Sequence, residues 1–140
     1  MRYLGIDYGS VRTGISCSDP TGIISSPLIV ISSINEEKLL NEISNIINDK
    51  NIEALVLGMP INMNASSGKR MELTDAFKLK LEERFSLPVY YQDERLSTVE
   101  AQDILIRNNT RRSSRKKVID KMAATIILQT FLDRSKIDGK

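Results

Sequence analysis

The hydrophobic period of this chain changes once, near residue 33, and that change constrains the fold more than any other feature. Before it, apolar residues alternate. Leu4 and Ile6 take one face of a strand over residues 2–7, with Tyr3, Gly5 and Asp7 on the other. Residues 12–18 read as a second strand, with Gly14 a close-approach point for its neighbour. Residues 23–31 read as a third, and Pro27 within it favours a sheet edge. Gly9-Ser10 and Asp19-Pro20-Thr21-Gly22 are turns, and links this short make the three strands antiparallel neighbours.

After residue 33 the period becomes helical. Ser33 and Glu36 form a capping box ahead of a stripe of Leu39, Leu40, Ile43, Ile46 and Ile47. Ala54, Leu55, Val56 and Leu57 are a continuous apolar run, as expected of a strand covered on both faces. A polar loop over 58–68 leads to a helix over 69–85, with Leu73, Phe77, Leu81 and Phe85 at spacing four. Pro88 ends it and opens a strand at 89–91. Ser97 and Glu100 form a second capping box for a short helix to 107. A loop over 108–115 and a last helix over 117–134 follow, the two helices packed together. The order βββαβαβαα, with right-handed crossovers in its second half, is the ribonuclease H-like arrangement: α/β, a five-stranded mixed sheet flanked by helices. Residues 1–140 read as one such domain, without repeats.

Composition narrows the chemistry. With no histidine and one cysteine, neither a Ser-His-Asp or Cys-His centre nor a zinc site of His or four Cys is available. The lone Cys17 fits a small hydrophobe in a reducing cytoplasm. The N-terminus opens straight into a strand rather than a signal peptide, and no apolar run approaches the roughly 20 residues of a membrane span. The expectation is a cytoplasmic protein with no membrane partner. Carboxylates holding a hard cation such as Mg²⁺ or Mn²⁺ are the hydrolytic chemistry left. Net charge is only +2, so where the charge sits matters more than its sum.

Three acids stand out. Asp120 heads a helical stripe that continues through Ala123, Ala124, Ile127 and Phe131, residues expected to pack on the sheet. An unpaired carboxylate there would cost several kcal/mol, so it needs a cation, and the two alanines let the helix backbone approach. The competing reading is an acid placed for the helix dipole. Asp7 ends the first strand; its competing reading is an Asx-turn before Gly9. Glu94 follows the fifth strand, near the edge where open sheets place ligands, and competes with a salt bridge to Arg95 and with Asp93 for the same role. Gathered carboxylates repel unless divalent cations neutralise them. Two ions roughly 4 Å apart would activate water and stabilise the leaving oxygen of a phosphodiester.

Positive charge is concentrated between residues 107 and 117, where Arg107, Arg111, Arg112, Arg115, Lys116 and Lys117 occur with no acid among them. A solvated loop has this composition, but this one leads directly into Asp120, and its arginines suit bidentate phosphate contact. The segment Gly58-Met59-Pro60-Ile61-Asn62 through Lys69-Arg70 lies on the Glu94 rim without P-loop spacing; Asn62, Asn64 and Ser66 suit substrate contact. Arg12, Asn62, Arg95, Arg111, Arg112, Arg115 and Lys116 are the candidate nucleic-acid-binding residues.

Gly5-Ile6-Asp7-Tyr8-Gly9 with Arg12 and Gly14, Gly58-Met59-Pro60 with Asn62 and Met63, Asp93-Glu94-Arg95-Leu96-Ser97-Thr98, and Lys116-Lys117 with Asp120, Ala123 and Ala124 occur in this order over nearly the whole chain. Together they resemble the YqgF family, relatives of the RuvC Holliday-junction resolvases described as candidate pre-16S rRNA nucleases. The resemblance implies a metal-dependent nuclease of ribosome biogenesis, with Asp7, Glu94 and Asp120 as catalytic, metal-binding acids. Structured RNA is then the partner and branched DNA the alternative, for a monomer or homodimer. RuvC-type enzymes carry an acid at the end of the fourth strand; here Gly58-Met59-Pro60 stands there, so Glu94 takes that part from the next strand. Ala65 occupies a place where the family pattern has glycine. Two other readings use the same residues. One is a nucleic-acid-binding module without catalysis. The other is a sugar-kinase-like phosphotransferase, which needs two such domains.

Overall fold

The computed structural model describes residues 1–60, 67–93 and 112–137, with side chains for 1–60, 68–93 and 122–135. The elements are β1 (Tyr3–Tyr8), β2 (Arg12–Ser18), β3 (Ser25–Ser32), α1 (Glu36–Lys50), β4 (Ala54–Met59), α2 (Ser67–Phe85), β5 (Val89–Asp93) and α3 (Arg112–Ile137). The predicted short helix over 97–107 lies outside the described residues. The strands form one sheet in the order β3-β2-β1-β4-β5. The meander β1-β2-β3 is antiparallel, while β4 pairs parallel with β1 and with β5. Hence β1 is central, and β1, β4 and β5 all end at the same rim, at Tyr8, Met59 and Asp93. Pro27 lies on edge strand β3, opposite a register shift between Ile15 and Ser16, where its missing N–H does least harm.

Side-chain alternation gives the sheet two unlike faces. Leu4, Ile6, Ile15, Ile31, Leu55 and Leu57 pack with Leu39, Leu40 and Ile43 of α1 and with Phe77 and Leu81 of α2. On the other face Val56 packs with Ile127, Leu128 and Leu132 of α3. There the helix comes close: the Ser16 hydroxyl donates to the Ala124 carbonyl at 2.8 Å. A Cβ at Gly5 would lie 2.8 Å from the Leu128 Cβ and 3.0 Å from that carbonyl. The buried Ala123 and Ala124 permit this approach.

Several local expectations are corrected. The N-cap of α1 is Asn35, whose side chain accepts from the Lys38 N–H. Ser33 is unavailable for capping because its hydroxyl bonds Thr13 and its N–H bonds the Val11 carbonyl. In α2 the buried stripe is Thr74, Phe77 and Leu81, and Leu73 is 49% exposed. Steps of four overshoot a turn by about 40° each, so Leu73 to Phe85 do not share a face. Helix α3 starts at Arg112, which makes the backbone of Arg112, Arg115 and Lys116 helical rather than a loop. No Gly or Pro interrupts the segment from there to Ile137. Strand β3 starts at Ser25, two residues late, because Asp19 captures the Ile23 and Ile24 N–H groups in the preceding turn. Cys17 is half-buried, donates weakly to the Ser18 carbonyl, and has its thiol pushed up by burial.

Candidate metal centre

Asp7 is the next-to-last residue of the central strand and is half-buried. Alternation puts Tyr3, Gly5 and Asp7 on the α3 face, since the Tyr3 ring meets Phe131 at 5.7 Å and Gly5 faces Leu128 and Ala124. In the ladder Asp7 stands opposite Gly14 of β2. The parallel register with β4, Ile6 beside Leu57, puts Gly58 level with Asp7 on the other side. Gly58 in turn pairs with Gln92 of β5. The row across the sheet at this height is Gly14, Asp7, Gly58, Gln92. The positions level with Asp7 on either side are therefore both glycines, without side chains. One row lower, Ser16, Gly5, Val56 and Tyr90 are filled in by α3.

The phase of β5 separates Asp93 from its neighbour. Val89 belongs to the α1–α2 core, and Tyr91 donates through its hydroxyl to Asp75 of α2. Asp93 is in phase with both and so lies on the α2 face, opposite the face of Asp7. Burial and the Asp75 carboxylate push the Tyr91 phenol above its ordinary range, which keeps the hydroxyl a donor. Glu94, Arg95, Asn62 and Arg111 lie outside the described residues. The backbone of Asp120 is in α3, one helical turn before Ala124, and its side chain lies outside them too. Among the described residues no three His, Cys, Asp or Glu side chains are gathered to hold an ion.

The register of α3 against β1 is informative. Phe131 meets Tyr3, and Leu128 and Ala124 lie over Gly5. The helix is thus antiparallel to β1, with its earlier residues toward the Asp7 rim. Arg12, half-buried at the start of β2, is in phase with Gly14 and Ser16 on this same face. The turn joining it to β1 is tight: a Cβ on Gly9 would lie 2.2 Å from the Arg12 carbonyl. Tyr8, on the opposite face, stacks on Phe77 at 4.0 Å between ring centroids, and its carbonyl accepts from Arg70. Burial raises the Tyr8 phenol pKa, helped by Glu36 and opposed by Arg70 and Lys80. Sequence reasoning singled out Asp7 as an acid ending a strand but missed two features around it. One is the glycine pair, visible only once strand registers are known. The other is Arg70, which carries no sequence signal beyond ending the 58–70 segment.

A family model described as RuvX, Holliday junction resolvase, matches residues 1–134. A relative from Streptococcus mutans named "Putative pre-16S rRNA nuclease" is 45% identical over 138 residues, covering 96% of this chain and 99% of its own. A protein of the same name from Streptococcus pneumoniae is 46% identical with the same coverage. Among solved structures, Thermus thermophilus RuvC in complex with a Holliday junction substrate superposes with a TM-score of 0.60 at 13% identity, over 96% of each chain. The fowlpox virus resolvase bound to Holliday junction DNA gives 0.54 at 10% identity, covering 96% of this chain and 99% of that one. At such identities the likeness is one of fold, and it agrees with the sheet order and strand directions above: the fold is ribonuclease H-like. On a match spanning 134 residues and relatives sharing nearly half their positions, the chain belongs to the RuvX family.

Proposed function

We propose that this protein is a nuclease of the cytoplasm that hydrolyses phosphodiester bonds, and that residues 1–140 form a single nuclease domain. The observation that carries this reading is the placement of Asp7. It is a carboxylate at the C-terminal end of the central strand, flanked by Gly14 and Gly58, on the face along which α3 runs. Two considerations support a shared centre. The alternation of β5 turns Asp93 toward α2, and Glu94 is the neighbouring acid we assign to the centre. Stepping α3 back one turn from Ala124, over Gly5, brings position 120 level with Asp7.

The all-oxygen donor set suits Mg²⁺ or Mn²⁺, and the residues level with Asp7 on either side are glycines. Asp7, Glu94 and Asp120 would hold the ion. Bound there, a divalent cation supplies an activated water and charge stabilisation for the leaving oxygen. The chain's own residues do the rest. Arg12, on the face of Asp7, together with Arg111 and with Arg112, Arg115 and Lys116 at the start of α3, would hold phosphates of the backbone. Asn62 and Arg95 complete the set of residues proposed to contact the nucleic acid.

The substrate we favour is the 5′ end of a pre-16S ribosomal RNA, because relatives matching almost the full length carry that name. A second reading, cleavage of branched DNA, draws on the family description and on neighbours crystallised with four-way junctions. Incubating the protein with a 5′-extended 16S precursor and with a four-way junction, each with Mn²⁺ or EDTA, decides between them. We expect cleavage of the RNA only with metal, and loss of at least about a hundredfold in the Asp7→Asn variant. Undiminished cleavage by Asp7→Asn would show that the activity is not built on this acid. Binding of either substrate without any cleavage would favour a non-catalytic module.

A further inference from the structure

Arg70 stands in the first turn of α2 and is half-buried. Its guanidinium donates to the carbonyl of Tyr8, and its central carbon lies 5.3 Å from the centroid of the Tyr8 ring. That ring is stacked on Phe77 with planes 3° apart. One arginine therefore holds both the main chain and the side chain of the last residue of β1. The grip falls where sheet pairing thins out. Pairing with β2 continues to Tyr8 opposite Thr13, whereas the register with β4 stops at Ile6 beside Leu57. Asp7 and Tyr8 thus close the strand at its rim, and a strand end opens more readily than a strand interior. A planar guanidinium suits the task, because it donates to a carbonyl while lying against an aromatic ring, which a lysine ammonium does less well.

We infer that Arg70 is a positioning residue for Asp7. Acting through Tyr8, it fixes where the carboxylate sits at the rim, although the two side chains are on opposite faces of the sheet. The inference rests on Asp7 being a metal ligand. Arg70 also lies in the first turn of α2, so the same contact ties the start of that helix to the strand that carries the acid.

The test uses the full chain and Mn²⁺ as probe, reading unbound Mn²⁺ by electron paramagnetic resonance for the wild type and for Arg70→Ala, Arg70→Lys and Asp7→Asn. Thermal midpoints and KM for the RNA precursor are recorded alongside. Arg70→Ala should weaken Mn²⁺ binding about tenfold, the effect of losing a residue that orients a ligand. Its KM for RNA should stay within about twofold. Arg70→Lys should recover part of the affinity. Wild-type Mn²⁺ affinity in Arg70→Ala would overturn the inference, as would a rise in KM alone, which marks a substrate contact. Equal Mn²⁺ losses in both Arg70 variants that merely follow their thermal midpoints would also overturn it, by reducing Arg70 to a structural role. If Asp7→Asn binds Mn²⁺ like the wild type, the reading of Asp7 itself has failed and the inference falls with it, a result the Asp7→Asn arm separates from the others.

Discussion

The two faces of the sheet are built from different materials. Toward α1 and α2 the strands present Leu4, Ile6, Leu55 and Leu57, and large side chains fill the space to Phe77 and Leu81. Toward α3 the central strand presents Tyr3, Gly5 and Asp7, and contact is made partly by backbone: the Ala124 carbonyl accepts from Ser16, and Gly5 leaves room for Leu128. The first face is a store of apolar burial. The second gives up some of that burial for close approach, and the proposed metal centre lies along it. In the proposed centre, close packing of α3 is what would bring the acid of the helix toward the acid of the strand. A helix held off by leucines would not.

The difference can be broken from either side. Truncating the apolar face costs most: Leu81→Ala, at a fully buried position, should lose about 2–5 kcal/mol in urea unfolding. The Mn²⁺ requirement of whatever folded protein remains should be unchanged. If Leu81→Ala shifts that requirement, the two faces are not separable. Gly5→Ala acts on the other face. Its new Cβ would fall 2.2 Å from the Ser16 hydroxyl oxygen and 2.8 Å from the Leu128 Cβ, so α3 must move. We expect a stability loss of about 1–3 kcal/mol and, unlike Leu81→Ala, weaker Mn²⁺-dependent cleavage. Adding Ser16→Ala relieves only the first contact and should restore stability in part. Full activity in Gly5→Ala would show that the close approach of α3 is not needed.

Much of this was legible in the sequence. Strict alternation fixed β1 and β2, and the short turns fixed their antiparallel pairing, because both are local properties. The continuous run ending in Leu57 marked an interior strand for the same reason. What escaped depended on competition between distant groups. Ser33 has a cap signature but is claimed by Thr13 and Val11, leaving Asn35 to cap α1. Leu73 looks like core but lies out of phase with Phe77 and Leu81, where Thr74 takes its place by bonding the Arg70 carbonyl. At the centre, Asp7 was evident as an acid ending a strand. The glycines beside it became neighbours only through pairing across the sheet, and the turning of Asp93 toward α2 followed from the phase of β5.

A smaller effect sharpens the contrast by comparing acids rather than faces. Asp19, in the turn between β2 and β3, is committed to local structure: its carboxylate accepts from the Ile24 N–H, the Thr21 hydroxyl and the Ile23 N–H, which holds its pKa below the ordinary 3.8. Because the folded-state pKa is lowered, its contribution to stability is present above about pH 3.8 and is lost as pH falls toward the folded-state value. Urea midpoints taken between pH 7 and pH 3 should fall in the wild type, and less steeply in Asp19→Asn. Identical slopes would show that the turn owes nothing to the ionised form.

The central claim is that Asp7 is an acid kept for a cation, and a crystal of the protein soaked in Mn²⁺ tests it most directly. The account predicts anomalous density in contact with the Asp7 carboxylate and with the carboxylates of Glu94 and Asp120. A soaked crystal with no ion at that rim, and with Asp7 closed off by an arginine or lysine, would contradict it.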